Sequence, residues 1–199
     1  MIGIFDYGAG NIGSVINVLN LLNKDFELIS NKQNIFNYEH YILPGVGSFK
    51  HAMQKLEEKK FIEPIKKISI NKSKKILGIC LGMQLFYDFS DEDDGCEGLG
   101  IINGVVKRIS KAITPNVGWH PLELDSTNKL FYNIENKAFF YFVHSYACFT
   151  KNNNIVKAKL DYGEIFDVII QTENIVGTQF HPEKSQKSGI QIIKNFINI

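Results

Sequence analysis

A chain of 199 residues, 44% hydrophobic and 22% charged, is long enough to bury a full core, and residues 1–199 are expected to form one domain. Its formal charge of +1 excludes bulk attraction to nucleic acid or a membrane surface, and a lone arginine, Arg108, leaves few bidentate clamps for phosphate or carboxylate. Three widely spaced cysteines without a CxxC argue against disulfides and zinc, so neither metal nor cofactor is expected; without a basic, apolar leader or an apolar run of about 18 residues, the expected location is the cytoplasm.

Ile2 to Asp6 reads as a buried strand that ends in the Gly-rich turn Tyr7-Gly8-Ala9-Gly10. Asn11 is placed to cap the following helix, in which Ile12, Val15, Ile16, Leu19 and Leu22 recur at helical spacing. Phe26–Ile29 and Tyr41–Leu43 are short strands. Phe49–Glu58 and Phe61–Ser69 are helical, the second with Pro64 in its first turn. Ile76–Ile79 is a strand leading to Cys80, with a helix predicted over Leu81–Phe89. This alternation implies a parallel sheet with helices on both faces, the three-layer α/β class.

Ser90–Glu97 is acidic, Gly-containing and reads as a solvated loop. Beyond it the pattern turns strand-rich: Val105–Ile109, Phe139–Val143, Ile155–Leu160, Val168–Thr172 and Ile175–Phe180. Antiparallel additions to the parallel sheet are expected, for instance across the Glu173-Asn174 turn. Ser185–Ile199 closes the chain as an amphipathic helix through Ile190, Ile193, Phe196 and Ile197.

The chemistry centres on Gly78-Ile79-Cys80-Leu81-Gly82. A cysteine between glycines, where a buried strand turns into a helix, is the thiol form of a nucleophile elbow. The same five residues also suit a small buried hydrophobe, so other groups must support the catalytic reading. Ligands of open α/β sheets bind beyond the carboxyl ends of the strands, which gathers Pro44-Gly45-Val46-Gly47 and Gly177-Thr178-Gln179-Phe180-His181-Pro182-Glu183 beside Cys80. There His181 can serve as base and acid, and Glu183 can orient its ring. Val46, Gly47 and the Leu81 N–H can form an oxyanion hole. Each part also has a plainer reading, as a turn or a surface side chain.

Taken together, Gly-Ile-Cys-Leu-Gly-Met-Gln at 78–84 and His-Pro-Glu at 181–183 resemble the signature of class I glutamine amidotransferases. Within that class the chain resembles the glutaminase subunits of imidazole glycerol phosphate synthase. The likeness runs through Asp6-Tyr7-Gly8-Ala9-Gly10-Asn11, Leu43-Pro44-Gly45-Val46-Gly47-Ser48-Phe49, Tyr141-Phe142-Val143-His144-Ser145-Tyr146 and the 177–186 segment. It implies a flavodoxin-like fold and a Cys80-His181-Glu183 triad that hydrolyses L-glutamine, with an oxyanion strand that reorients for activity. Gln84, Glu92, Ser145 and Tyr146 would hold the substrate.

The resemblance also implies a (β/α)8-barrel cyclase partner that receives ammonia, faced by Asn11, Trp119 and Lys184. One segment departs from the family's usual Pro-His-Met-Gly-Trp-Asn: this chain has Pro115-Asn116-Val117-Gly118-Trp119-His120. That difference opens a second destination for the ammonia, acetamidino-sugar synthesis. A catalytically inactive binding subunit and a cysteine peptidase of the same fold are the readings from other classes.

Overall fold

Four nearly all-apolar runs, Ile2–Phe5, His40–Gly45, Lys75–Cys80 and Ile175–Thr178, are buried almost end to end and lie side by side. Parallel strands covered on both faces require this composition. The computed structural model describes residues 1–199. In chain order they form β1 (Ile2–Phe5), α1 (Ile12–Leu21), β2 (Phe26–Ile29), β3 (His40–Gly45), α2 (Phe49–Glu58), α3 (Ile62–Ile70), β4 (Lys75–Cys80) and α4 (Leu81–Gln84). There follow β5 (Tyr87–Ser90), β6 (Cys96–Glu97), β7 (Ile102–Arg108), β8 (Asn116–Pro121), β9 (Phe139–His144) and β10 (Tyr146–Thr150). The chain closes with β11 (Val156–Asp161), β12 (Ile165–Gln171), β13 (Ile175–Thr178) and α5 (Gln186–Asn198).

The main sheet runs β2-β1-β3-β4-β13-β12-β10-β7-β5-β6, with β11 also paired to β12. From β2 to β13 every pairing is parallel. From β13 to β7 the pairings turn antiparallel, as the strand-rich second half predicts. Alternate side chains sort the core into two layers. Ile4, Ile42, Leu77 and Val176 meet α1 and α5 through Val15, Leu19, Ile193 and Phe196. Phe5, Tyr41, Leu43 and Ile175 meet α2 and α3 through Phe49, Leu56, Phe61 and Ile65. This is the expected three-layer arrangement.

Several local expectations fail for identifiable reasons. The helix predicted over Leu81–Phe89 stops at Gln84, and β5 begins at Tyr87. The carbonyls of Leu85, Phe86 and Tyr87 accept from the N–H groups of Leu99, Ile101, Ile102 and Gly100, which removes them from a helical ladder. Ser90–Glu97 is not merely a loop: Glu92–Asp94 forms a 3₁₀ turn and Cys96–Glu97 pairs with β5. Asn11 stands before α1 but makes no capping bond with its side chain. Phe139–Val143 does not join the central sheet. It pairs with β8, which the sequence pattern does not reveal, in a separate two-stranded sheet whose Phe140 and Phe142 pack into the α1/α5 layer.

Candidate active site

Register brings the pieces of the site together. Gly45 at the end of β3 lies beside Cys80 at the end of β4, and Thr178 at the end of β13 lies beside Ile79. The turn at Cys80 is sharp: its φ is 53° and its ψ is −111°, backbone that L-residues rarely adopt. The flanking glycines permit close approach. A Cβ on Gly82 would sit 1.9 Å from the Leu43 carbonyl oxygen, and one on Gly78 would sit 2.7 Å from that of Gly82. α4 is a single turn, much shorter than the helix predicted over Leu81–Phe89, so it sets only a weak positive helix end behind the sulfur.

His181 follows β13, and its backbone is fixed from both sides. Its N–H donates to the Tyr141 carbonyl, and its own carbonyl accepts from Ser185 Oγ at 2.6 Å. Pro182–Lys184 then makes a 3₁₀ turn that returns Glu183 to the ring. His181 Nδ1 lies 2.7 Å from Glu183 Oε1, with both side chains 2% exposed. Glu183 Oε2 has no hydrogen-bond partner, so the carboxylate's contact with the ring is its main compensation. Burial alone would lower the His181 pKa, but the proximity of Cys80 and the bond to the Glu183 carboxylate raise it to about 10. The arrangement favours a charged His181 ring held against the Glu183 carboxylate, while Cys80 Sγ lies 3.9 Å from the Val143 carbonyl oxygen.

A cavity of about 330 Å³ opens over the sulfur, at the small end of the range for ligand sites. Val46, Gly47, Cys80, Leu81, Gln84, Glu92, Ser145, Tyr146, His181 and Lys184 all line it. Glu183 lies behind His181, while Asn11 and Trp119 lie outside the lining. Trp119 is 41% exposed and tilts against Tyr141, its cross-strand neighbour. No group of three or more His, Cys, Asp or Glu is placed to hold a metal ion.

The individual contacts refine several expectations. Val46 N–H donates to the Ala9 carbonyl at 3.2 Å, so in this conformation it is not aimed at the cavity as an oxyanion donor. Gly47 beside it has φ of 100°, backbone that favours glycine. Glu92 Oε2 accepts from the Phe49 N–H at 2.8 Å and thereby tethers the acidic segment to the start of α2. Burial raises its carboxyl pKa against that bond, and Asp93 and Asp91 add to the rise. The Ser145 carbonyl accepts from Ile109 N–H, and the Tyr146 carbonyl accepts from Gln84 Nε2 at 2.8 Å.

Two further residues reach the site. Gln179 is fully buried, takes a bond from Gln84 Nε2 at 3.0 Å, and places its own Nε2 3.8 Å from Cys80 Sγ. His144 lines the cavity and bonds the Tyr146 carbonyl through Nδ1 at 2.8 Å. Both stand inside runs that carry the family likeness, yet residue type alone gives no reason to separate them from core positions.

Comparison with known proteins agrees with this geometry. The family model described as glutamine amidotransferase class-I matches residues 4–199. The imidazole glycerol phosphate synthase subunit HisH 1 of Campylobacter jejuni (strain RM1221) is 42% identical, with 100% of each chain covered. The HisH subunit of Oceanobacillus iheyensis is 43% identical over 98% of each chain, and that of Pelagibacter ubique 38% over 98% of each. Among solved structures, a glutamine amidotransferase superimposes with TM-score 0.76 at 16% identity, covering 99% of this chain and 97% of its own. PurLQS from Thermotoga maritima gives 0.74 at 17%, with the same coverage; at such identities the likeness is one of fold. The chain belongs to the class-I glutamine amidotransferase family and, within it, to the HisH subunits of imidazole glycerol phosphate synthase.

Proposed function

We propose that residues 1–199 act as one glutaminase domain, which hydrolyses L-glutamine to glutamate and ammonia for a synthase of the histidine pathway. The observation that carries this reading is the buried His181–Glu183 pair at 2.7 Å beside a cysteine on a strained elbow. Cys80 sulfur attacks the side-chain amide carbon, and the Val46 N–H rotates away from Ala9 to join Leu81 in holding the oxyanion. The C–N bond breaks as the His181 imidazolium gives its proton to the departing nitrogen, which leaves as ammonia. Water then attacks the γ-glutamyl thioester, His181 takes its proton, and the thiolate leaves glutamate. Glu183 holds the ring and stabilises its cation throughout.

Gln84, Glu92, Ser145 and Tyr146 hold the amino-acid end of the substrate, with the free carboxylate oxygen of Glu92 suited to an α-ammonium group. The recipient of ammonia is a (β/α)8-barrel cyclase docked over the cavity mouth, with Asn11, Trp119 and Lys184 at the contact. A cytoplasmic location accords with this, and no helix is long and apolar enough to cross a membrane. The test is ammonia release from L-glutamine by the purified chain, alone and with the barrel protein, with short peptides as a control. Stimulation by the barrel together with formation of imidazole glycerol phosphate supports the reading. Peptide cleavage, or ammonia passing only to a sugar acceptor, would overturn it.

A further inference from the structure

A line of side-chain hydrogen bonds reaches the site from outside it. His120 Nε2 lies 2.8 Å from Asn116 Oδ1, Asn116 Nδ2 lies 3.1 Å from His144 Nε2, and His144 Nδ1 lies 2.8 Å from the Tyr146 carbonyl oxygen. That carbonyl also receives the Gln84 amide at 2.8 Å. Valence permits one consistent assignment. A carbonyl only accepts, so His144 Nδ1 carries the hydrogen and Nε2 accepts from the Asn116 amide. Asn116 Oδ1 then accepts from His120 Nε2–H. Every donor in the line meets an acceptor.

Asn116 is 0% and His144 6% exposed, positions where apolar side chains would pack without any need for partners. They stand opposite one another across β8 and β9. Ser145 is the single residue between β9 of the small sheet and β10 of the central one, so neither ladder runs unbroken through it. We propose that Asn116 and His144 are positioning residues for the substrate: by holding the Tyr146 carbonyl they set the Ser145–Tyr146 crossing and the Gln84 amide against bound glutamine. This rests on the glutaminase reading above. Burial keeps His144 neutral, with its pKa lowered to about 4, so the assigned tautomer persists at neutral pH.

The test is glutamine hydrolysis by the purified chain with its barrel partner, fitted separately for KM and kcat. Asn116→Leu conserves volume and removes both bonds; glutamine KM should rise about tenfold while kcat changes less than about threefold. In nitrogen-15 NMR spectra the His144 Nε2 resonance should shift as it loses the Asn116 donor, while Nδ1, still bonded to the Tyr146 carbonyl, keeps its hydrogen. The exchange Asn116→His with His120→Asn rebuilds the line in the opposite order and should return KM to within about threefold of the parent. A folded Asn116→Leu protein with unchanged KM, or with the His144 Nε2 resonance unmoved, overturns the proposal. Should Asn116→Leu not fold, the half-buried His120→Leu replaces it, with a KM rise of about threefold expected and no rise equally fatal. A parent protein that releases no ammonia would instead overturn the glutaminase reading itself.

Discussion

Cys80, the proposed nucleophile, sits on strained backbone. A non-glycine held at φ of 53° and ψ of −111° costs about 1–3 kcal/mol, which the surrounding glycines and strands sustain. Cys80→Gly should therefore raise stability by about 1 kcal/mol in a denaturant titration, while glutaminase activity falls by roughly a thousandfold or more. His181 makes a pH prediction of definite sign. Its folded pKa, about 10, stands above the 6.5 of the unconstrained ring. The stabilisation from its charged form is complete below pH 6.5 and is lost as pH rises toward 10. The stability gap between wild type and His181→Asn should narrow across that window in urea unfolding at stepped pH. Of the three residues that depart from the family's usual run, Asn116, Val117 and His120, the first and last are bonded to each other, and the pattern's histidine and asparagine have exchanged places. Their side chains turn inward, whereas Val117 and Trp119 between them turn out.

At the scale of elements, the elbow depends on β3 and α4 approaching until no Cβ fits between them. Gly82→Ala would push a methyl into the Leu43 carbonyl, and a loss of more than about 3 kcal/mol is expected by chemical denaturation. The β9–β10 crossing has its own acid sensitivity. His144 has a folded pKa below its unfolded value, so the stability gained from keeping it neutral is present above pH 6.5 and is lost as pH falls toward 4. A His144→Phe protein should lack that component in a pH series of thermal melts. Helices α1, α2, α3 and α5 were legible because 3.6-residue periodicity reports a buried face directly. The helix over Leu81–Phe89 was misread because Leu85, Phe86, Tyr87 and Phe89 suit a buried helix and a buried strand equally. Backbone carbonyls met by residues 99–102 decide that segment, and no local pattern reports those partners.

Over the whole molecule, two core layers enclose one sheet, and the ends of β3, β4 and β13 open on a single edge. Trp119, exposed beside Tyr141, belongs to the proposed contact with the barrel. Trp119→Ala should leave the melting temperature nearly unchanged and weaken association with the barrel by about 2 kcal/mol or more, measured by titration of one subunit with the other. Sequence alone determined the layer order of the first half and pointed to Cys80, His181 and Glu183 as the proposed nucleophile, base and acid, because strand ends and short motifs carry those signals within a few residues. Tertiary structure decided the rest: that β8 and β9 leave the central sheet, that Val46 N–H is engaged with Ala9, and that Gln179 and His144 reach the site. Asn116 meets His144, Val46 meets Ala9 and Gln179 meets Gln84 across long stretches of chain, and such pairings leave no periodicity to read.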